Sequence, residues 1–488
     1  MLLPSEHGLT PYPSRPAAGL GQSTMPSGSV EITFAPSKRA LETFRHGKAA
    51  DLMDEFKDWP RYDPKTAPGG LIDLSGAENR LMEDWVARYV DDEMRGLQVA
   101  ACLSYGAMFG SPGLRKNMAA FFNRYFNPRV PIMSDDILAT NGVTSLIELV
   151  AWTICDPGEA ILYLTPTFFM LDYDLSSRTD VITLPVTTSG LADPFGATGA
   201  DELVQVLEMA ANAAELSRVV RCRALVICNP SNPQGRCYAS ETLQKMADWC
   251  TIRGMHLVAD EIYAMSQVEA YSDGHLQLDR FSSVLSIPGG HGPLQNVHSL
   301  YGMSKDFGMG GLRAGFLVTR NKLLRKAASR VTWFTWVTKF SDLFITQFMS
   351  RLDLVNDYLV EYHIRLAAAY NRTMSALNLH RIPFQPGNAG LFIFIDLSQW
   401  LRYFRGSHTT MSTTIAARYV PGQPSREIQL CKWLAGGGVF INPGEFAGSD
   451  RPGLYRLVFT GHQDAVVQGI KRLCNALNKL ESSRSSLA

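Results

Sequence analysis

The stretch His298-Ser-Leu-Tyr-Gly-Met-Ser-Lys305-Asp-Phe-Gly-Met-Gly-Gly-Leu-Arg313 places one lysine and one arginine eight residues apart among serines and glycines. A lysine that is partly removed from water has a lowered pKa, so it can attack a carbonyl carbon and form a Schiff base. An arginine beside backbone N–H groups that no side chain obstructs suits a phosphate. The alternative is an ordinary solvated lysine, and the rest of the chain has to decide between the two.

The composition limits the classes of protein to which the chain can belong. Its 488 residues suggest two or three domains, and 46% hydrophobic with 19% charged residues is typical of a folded globular protein. The formal net charge of +0 provides no basic field for a polyanion, so we expect no nucleic-acid partner.

The cysteines and apolar runs indicate a compartment. The 8 cysteines are scattered without a C-x-x-C pair, so we interpret them as reduced thiols and expect neither a disulfide nor a metal site. The N-terminal residues lack a signal-peptide pattern, and no apolar run in the sequence reaches membrane-spanning length. We therefore expect a cytoplasmic protein that does not bind a membrane.

Short apolar runs alternate with helical segments through the middle of the chain. Near-continuous apolar runs, each followed by a polar loop and a helix, are typical of a mostly parallel sheet that is covered on both faces. The runs are Ile137–Ala139, Ala160–Leu164, Ala224–Cys228, His256–Ala259, Val297–Leu300 and Ala314–Val318. They predict an α/β fold in which a large domain with such a sheet is joined to a smaller α+β domain.

Four segments are predicted along the chain. Residues 1–35 are rich in Ser, Pro and Gly and are interpreted as a mobile N-terminal extension. We expect residues 36–95 to pack on the small domain, residues 96–345 to form the large domain and residues 346–488 to form the small C-terminal domain. In a parallel sheet of this kind, a ligand binds at the carboxyl ends of the strands.

Groups that suit a phosphate and a planar ligand follow the predicted strands. A turn of small residues around Gly142 opens a helix at Val143 and Thr144, where a phosphate would meet backbone N–H groups and the positive end of the helix. An ordinary helix cap is the alternative. Farther along, Asn232 lies between two prolines that fix the direction of its amide, either for a ligand oxygen or as part of a structural turn.

An acidic and an aromatic residue occupy two further strand ends. Asp260 follows a buried apolar strand, where a carboxylate is costly unless it has a cationic partner, either a protonated heterocyclic nitrogen or an Arg or Lys. Phe168 could stack on a planar ligand or pack in the core. Together with Lys305, these groups describe a flat, phosphorylated, heteroaromatic aldehyde. We therefore predict pyridoxal 5'-phosphate as a cofactor of the large domain.

Five segments, in order along the chain, resemble the motifs of one family. The segments are Gly76-Ala-Glu78-Asn79, Tyr105-Gly-Ala-Met-Phe-Gly110-Ser-Pro-Gly-Leu-Arg115, His256-Leu-Val-Ala-Asp260-Glu-Ile-Tyr263-Ala, Tyr301-Gly-Met-Ser-Lys305-Asp and Asn388-Ala-Gly-Leu-Phe. On these motifs the chain is identified as a member of the fold type I pyridoxal-phosphate enzymes, class I/II aminotransferase family, and is most similar to the 1-aminocyclopropane-1-carboxylate (ACC) synthase-like branch. Aminotransferases in general do not share the Ala-Glu-Asn signature of that branch. The resemblance covers about Trp59 to Leu477.

The resemblance implies a role for each cofactor-binding residue. Lys305 would form the Schiff base with the cofactor and, once the substrate releases it, move the Cα proton. Asp260 would pair with the ring nitrogen, and Asn232 and Tyr263 would hold the phenolic oxygen of the ring. Phe168 would stack on the ring, where the family usually has Tyr or Trp.

The resemblance also implies how phosphate and substrate are bound. Arg456 would bind the α-carboxylate of a small amino-acid substrate, and Glu78 would face that substrate; Lys305, Tyr263 and Glu78 are the predicted catalytic residues. Tyr105 would reach the phosphate of the neighbouring subunit, which implies a homodimer with shared active sites. The phosphate of the same subunit would be bound by Val143, Thr144, Ser304 and Arg313.

Two positions depart from the family pattern. The family usually has a serine three residues before the lysine, which donates to the phosphate, and this chain has Gly302 there. A Ser-Pro-Gly segment near the C-terminus is replaced by Asn442-Pro-Gly-Glu445, which we expect to place an additional acid near the substrate entrance. The departures indicate a specialised enzyme, such as one of secondary metabolism.

Three hypotheses for the reaction remain open. In the first, Cα deprotonation by Lys305 is followed by loss of a sulfur leaving group from S-adenosylmethionine or from a cysteine conjugate, as in a C–S lyase. In the second, the chain is an aminotransferase that moves an amino group from an amino acid to a 2-oxo acid. In the third, it is a non-catalytic regulatory protein that has kept the fold.

Overall fold

A seven-stranded sheet organises the larger part of the fold. The computed structural model describes residues 37, 40, 48–93, 99–218, 220–268, 278–288, 295–406 and 424–485. The strands are β1 (Ile72–Asp73), β2 (Ile137–Thr140), β3 (Ala160–Thr165), β4 (Ile182–Thr187), β5 (Cys222–Cys228), β6 (His256–Asp260), β7 (Val297–Gly302), β8 (Gly315–Thr319), β9 (Phe384–Gln385), β10 (Phe392–Asp396), β11 (Val439–Phe440), β12 (Asn442–Pro443) and β13 (Leu454–Val458).

Helices precede, separate and follow these strands. They are α1 (Lys48–Glu55), α2 (Glu83–Glu93), α3 (Pro112–Tyr125), α4 (Val143–Ile154), α5 (Leu171–Ser176), α6 (Ala200–Arg218), α7 (Ser240–Ile252), α8 (Lys322–Val331), α9 (Lys339–Met349), α10 (Leu352–Leu379), α11 (Arg426–Gly436) and α12 (Gln463–Ser485). Among the described residues, no helix is both long enough and apolar enough to cross a membrane.

The order of the large sheet is β2-β8-β7-β6-β5-β3-β4. The pairs from β7 to β4 are parallel, whereas β8 is antiparallel to both of its neighbours. Every residue of β2, β3, β7 and β8 is buried, as their near-continuous apolar sequences predict for a sheet that is covered on both faces. The predicted α/β fold with a mostly parallel sheet is confirmed.

The edge strand β4 and the long helix α6 were not anticipated from the sequence. Pro185 interrupts the apolar pattern of β4, and proline is tolerated at a sheet edge because one side of that strand needs no hydrogen-bond donor. The predicted strands otherwise match observed ones to within about two residues at their ends.

A second, antiparallel sheet has the order β12-β13-β10-β9. The short strand β1, from the predicted N-terminal segment, pairs in parallel with β11, with Ile72 opposite Val439. This pairing brings residues that precede the large sheet in sequence against residues that follow it. The boundaries at residues 95 and 345 stay predictions.

The chain divides into two compact units, Met1–His46 and Gly47–Ala488. All strands and helices named above belong to the second unit. The predicted extension over residues 1–35 lies outside the described residues, as does most of the polar stretch between Arg405 and Pro424.

Candidate active site

The lysine of the opening stretch follows the end of β7 and is partly buried. Its Nζ donates a hydrogen bond to the backbone oxygen of Ala77, 2.7 Å away. The pKa of Lys305 is lowered to about 8, chiefly by burial and secondly by the nearby Arg456, against the opposing effects of Asp260 and Glu78. An amine with a pKa close to neutral holds and releases a proton readily, as a nucleophile and proton carrier must.

Asp260 ends β6, the strand next to β7 in the sheet, and is 8% exposed. One carboxylate oxygen accepts a hydrogen bond from the Ile262 N–H at 3.2 Å. Burial raises the pKa of Asp260 to about 7, against the opposing effects of that N–H and of Lys305. A cation that approached the carboxylate would therefore stabilise its ionised form, which is the property that a protonated ring nitrogen requires of its partner.

The turn between β2 and α4 has the geometry of a phosphate site. Gly142 precedes α4 with φ of +123°, and the helix has no side-chain cap at this end. A Cβ on Gly142 would lie 2.6 Å from the Arg313 Nη2, so the guanidinium lies directly against the glycine. Val143 and Thr144 are the first two residues of the helix. Free backbone N–H groups, a helix N-terminus and an arginine thus meet at one point.

Arg456, on β13, is 6% exposed and lies where three parts of the chain converge. Its Nη1 donates to the Asn232 Oδ1 at 2.9 Å and its Nη2 to the Ser75 backbone oxygen at 2.5 Å. The opposite residue in the sheet, Asn442, donates to the same Ser75 oxygen at 3.2 Å. The Arg456 Nε and the Asn442 Oδ1 have no hydrogen-bond partner within the described part of the chain.

A small, partly open recess is lined by the two residues that carry these unpartnered atoms. Asn232, Asn442 and Arg456 form its polar side, and Phe169, Phe394 and Phe446 belong to its apolar side. Tyr263 is 3% exposed, and burial raises the pKa of its hydroxyl while Arg456 opposes that change. Burial lowers the pKa of Arg456, because a buried positive charge is costly. An incoming carboxylate would offset that cost.

The two phenylalanines that follow β3 have different surroundings. Phe169, which was not predicted, lines the recess, and the Arg456 guanidinium lies 6.0 Å from the centre of its ring. Phe168 is partly buried and contacts Phe169 edge to face, with 5.4 Å between ring centres. The stacking role of Phe168 stays a prediction. The adjacent pair of phenylalanines was the available sequence signal for Phe169.

Glu78 is exposed, and its carboxylate accepts a hydrogen bond from the Arg80 Nη2 at 2.7 Å. Arg80 also binds Glu83 at 2.6 Å, so the predicted substrate-facing acid belongs to a charged cluster. Glu78 nevertheless raises the pKa of Lys305, which places its charge within electrostatic range of the amine. Ser304 is partly buried directly before Lys305.

Tyr105 lies apart from these residues. It is 90% exposed, and its ring contacts Trp336 with 5.7 Å between ring centres. The prediction for this residue concerns a neighbouring subunit, so its exposure within one chain is the expected arrangement.

The structure shows the surroundings of Gly302 and Glu445, the two departures from the family pattern. A Cβ on Gly302 would lie 3.0 Å from the Ala314 backbone oxygen and 3.0 Å from the Val143 Cγ2, which leaves no room for a side chain without local movement. Glu445 was expected near the substrate entrance. That expectation stays a prediction. The Glu445 N–H donates to the buried Glu427 at 3.0 Å, and the charge of Glu445 adds to burial in raising the pKa of Glu427 to about 8.

Asp174 was missed from the sequence. It lies in α5, is 6% exposed, and its Oδ2 has no hydrogen-bond partner in the described segments. The pKa of Asp174 is raised to about 7, mainly by burial and secondly by the charge of Asp260. A second acid therefore lies near the predicted partner of the ring nitrogen. An aspartate within the apolar segment Leu171-Asp-Tyr-Asp-Leu was the signal.

These groups fit pyridoxal 5'-phosphate. The turn at Gly142 provides an anion site, Asp260 is a buried acid with little compensation, and Lys305 has a lowered pKa. The profile of the family described as "Aminotransferase class I and II" matches residues 71–477, most of the chain. The chain belongs to this family. Pyridoxal 5'-phosphate is accordingly the cofactor of this aminotransferase-family protein, as predicted.

Proteins similar in sequence to this chain include ACC synthases and ACC synthase-like proteins. The chain is 29% identical over 464 residues to a mouse protein named "Probable inactive 1-aminocyclopropane-1-carboxylate synthase-like protein 2", covering 94% of this chain and 75% of that one. It is 29% identical over 397 residues to 1-aminocyclopropane-1-carboxylate synthase 5 of Oryza sativa subsp. japonica, covering 78% and 72%. The predicted position near the ACC synthase-like branch is confirmed.

Solved structures agree on the fold. An aspartate aminotransferase from Thermus thermophilus with maleate superposes with a TM-score of 0.66 at 17% identity, covering 91% of this chain and 100% of that one. At this identity the likeness shows a shared fold. No group of three or more His, Cys, Asp or Glu residues that could hold a metal ion occurs among the described residues of this aminotransferase-family chain.

Proposed function

We propose that this chain is a pyridoxal-phosphate enzyme that removes the Cα proton of an α-amino acid and then eliminates a sulfur leaving group, from S-adenosylmethionine or a cysteine conjugate. One observation carries the proposal. The Ala77-Glu78-Asn79 segment, which resembles the ACC synthase signature, directly contacts the reactive lysine, whose Nζ lies 2.7 Å from the Ala77 oxygen. The part of the sequence that departs from ordinary aminotransferases is therefore at the reacting amine.

The chain's own residues divide the work as follows. The cofactor, when bound, supplies an electron sink for the pair left at Cα. The Lys305 amine, with its pKa lowered to about 8, takes the Cα proton and can return it. Arg456, held by Asn232 and Ser75, lines the recess and has an unpartnered Nε; it would bind the substrate α-carboxylate there, which would fix the direction of the Cα–H bond.

The cofactor itself would be held at three places. Asp260 pairs with the ring nitrogen, because a cation there relieves the cost of its buried charge. Tyr263 and Asn232 provide a hydroxyl and an amide to the phenolic oxygen. The phosphate binds at the N-terminus of α4, next to Arg313.

We also propose that a second copy of the chain completes the site. Tyr105 is 90% exposed and its ring rests on Trp336, and the nearby Trp333 and Phe334 are 59% and 78% exposed. Large apolar side chains grouped in this way favour an interface. In a symmetric homodimer, Tyr105 of each subunit would reach the phosphate bound by the other.

Product analysis tests the elimination. Purified holoprotein is incubated with S-adenosylmethionine and, separately, with a panel of S-substituted cysteines, and mass spectrometry follows methylthioadenosine and free thiols. Release of either product that is abolished in Lys305→Ala and retained in Lys322→Ala, which alters an exposed lysine, supports the proposal. If neither product forms over the whole panel, the elimination is wrong.

A second candidate function is transamination, which the match to the family described as "Aminotransferase class I and II" favours. In this reaction Lys305 would move the proton taken from Cα, the cofactor would retain the amino group, and no leaving group would depart. Incubation with an amino acid alone would then produce one equivalent of the corresponding 2-oxo acid and no thiol. The absence of any 2-oxo acid would reject this candidate.

A further inference from the structure

A buried asparagine joins the segment before α2 to the backbone of the reactive lysine. Asn79 is 4% exposed, and its Nδ2 donates to the backbone oxygens of Lys305 at 2.9 Å and Asp306 at 3.3 Å. Its Oδ1 accepts the Leu81 N–H at 3.2 Å. The whole amide is therefore committed to backbone groups, and two of its three bonds go to the lysine and the residue after it.

The same short segment contacts the other end of the lysine. The Ala77 backbone oxygen accepts the hydrogen bond from the Lys305 Nζ at 2.7 Å, and Ala77 is two residues from Asn79. Between Ala77 and Asn79, the backbone oxygen of Glu78 accepts a hydrogen bond from the Thr460 hydroxyl at 2.6 Å. Because the segment is short and held at both ends, the position of Asn79 determines where the Ala77 oxygen lies relative to the amine.

The lysine peptide is anchored independently on its far side. The Asp306 carboxylate accepts bonds from the Tyr301 hydroxyl and the Met265 N–H, each at 2.9 Å. The Tyr358 hydroxyl donates to the Asp306 backbone oxygen at 3.2 Å. If the Asn79 amide were removed, the lysine backbone would stay in place. The 77–79 segment would lose its two hydrogen bonds to that backbone and keep the bond from Thr460, so the Ala77 oxygen could shift relative to the amine.

We propose that Asn79 is a positioning residue for Lys305: it holds the Ala77 carbonyl at the Nζ as the acceptor for the lysine amine whenever that amine is not bonded to the cofactor. The inference rests on the proposed function of Lys305 as the cofactor-binding lysine. A carbonyl oxygen accepts from an ammonium group more strongly than from a neutral amine. The arrangement therefore retains the proton that Lys305 has taken from Cα, at the point where the next step needs it.

The proposal predicts the proton affinity of the lysine in the full-length chain freed of cofactor. The groups that act on the amine by charge are Arg456, Asp260, Glu78 and Arg313. Asn79→Ala replaces none of these four residues. Glu78 belongs to the 77–79 segment and raises the pKa of Lys305, so its movement with the segment acts in the same direction as loss of the Ala77 acceptor. Loss of the positioned acceptor should move the pH midpoint of Lys305 acetylation, followed by mass spectrometry, down by about one pH unit, a tenfold fall in proton affinity. In the holoprotein, the pH midpoint of the cofactor absorbance should change as well.

Two further variants separate positioning from a general loss of structure. Asn123→Ala removes an asparagine that clamps Ile132 through both amide atoms, at 2.9 and 2.7 Å, and should leave the Lys305 midpoint unchanged. Gly308 has φ of +63°, and a Cβ there would lie 2.6 Å from the Asn79 backbone oxygen. Gly308→Ala therefore displaces the segment without altering the amide, and it should lower the midpoint in the same direction as Asn79→Ala.

The outcomes are distinct. A lowered midpoint in Asn79→Ala or Gly308→Ala, in protein with a wild-type circular dichroism spectrum, supports the proposal. An unchanged midpoint in the folded variants overturns it, as does loss of the folded state in both, since Asn79 would then be structural only. Cofactor attachment is read separately, from the mass added to Lys305 when the wild-type holoprotein is reduced with borohydride; its absence would overturn the proposed function and leave the acetylation result interpretable.

Discussion

Replacing Asp260 by asparagine should stabilise the cofactor-free protein and weaken its hold on the cofactor. Asp260 is 8% exposed, and burial raises its pKa from an ordinary value of 3.8 to about 7. The folded state therefore keeps a proton that the unfolded chain loses, so the free energy of unfolding falls as the pH rises from about 4 to about 7. The asparagine variant lacks this penalty.

The size of the effect follows from the two pKa values. Each pH unit between them corresponds to about 1.4 kcal/mol, so an ionised Asp260 costs the folded, cofactor-free protein about 4 kcal/mol above pH 7. At pH 5 the cost is about 2 kcal/mol, because only the interval from 3.8 to 5 contributes. The advantage of Asp260→Asn should grow by about 2–3 kcal/mol between pH 5 and pH 8.

Urea unfolding at pH 5 and pH 8 measures this growth. The asparagine Oδ1 can still accept the Ile262 N–H, and any cost of an unpartnered Nδ2 is the same at both pH values. Asp91→Asn is the control, because it makes the same substitution at an exposed position of α2. An Asp260→Asn advantage that is equal at the two pH values would refute the reasoning. With cofactor present, the same variant should show weaker binding.

Three further predictions concern the rest of the site. Gly302→Ala should lower the free energy of unfolding by about 1–3 kcal/mol, because its Cβ meets the Ala314 oxygen at 3.0 Å, and Gly302→Ser should be no better in urea unfolding or cofactor binding despite its hydroxyl. Restoration of stability by the serine would contradict this. Arg456→Lys should raise KM for the amino acid by tenfold or more, since a lysine cannot form the two parallel hydrogen bonds of a guanidinium. Steady-state kinetics on the identified substrate measures this change, and an unchanged KM would show that Arg456 does not bind the carboxylate. Co-refolded Lys305→Ala and Tyr105→Ala chains should recover about a quarter of wild-type activity, because only a heterodimer with shared sites contains one intact site; no recovery would argue against sharing.

The sequence alone determined the fold class and the kind of cofactor. Buried parallel strands need apolar residues on both faces, so β3, β5 and β6 are recognisable as continuous apolar runs, and the polar residues at their ends stand out. Asp260 was found in this way, since an acid at such a position is costly unless it has a cationic partner, whereas Lys305 was found from its spacing to Arg313 among serines and glycines. The edge strand β4 escaped because its proline breaks the run.

Only the tertiary structure determined which groups contact one another across long separations in sequence. The Asn79 amide meets the Lys305 backbone and the Asn232 amide meets Arg456, and neither pairing has a periodicity or spacing that a sequence could reveal. The same holds for Gly302, where a Cβ would meet the Ala314 backbone oxygen just before β8. It also holds for Glu445, whose backbone N–H donates to the Glu427 carboxylate. Hydrogen bonds and close contacts of this kind depend on where the strands and loops meet after folding, and local residue preferences do not encode that position.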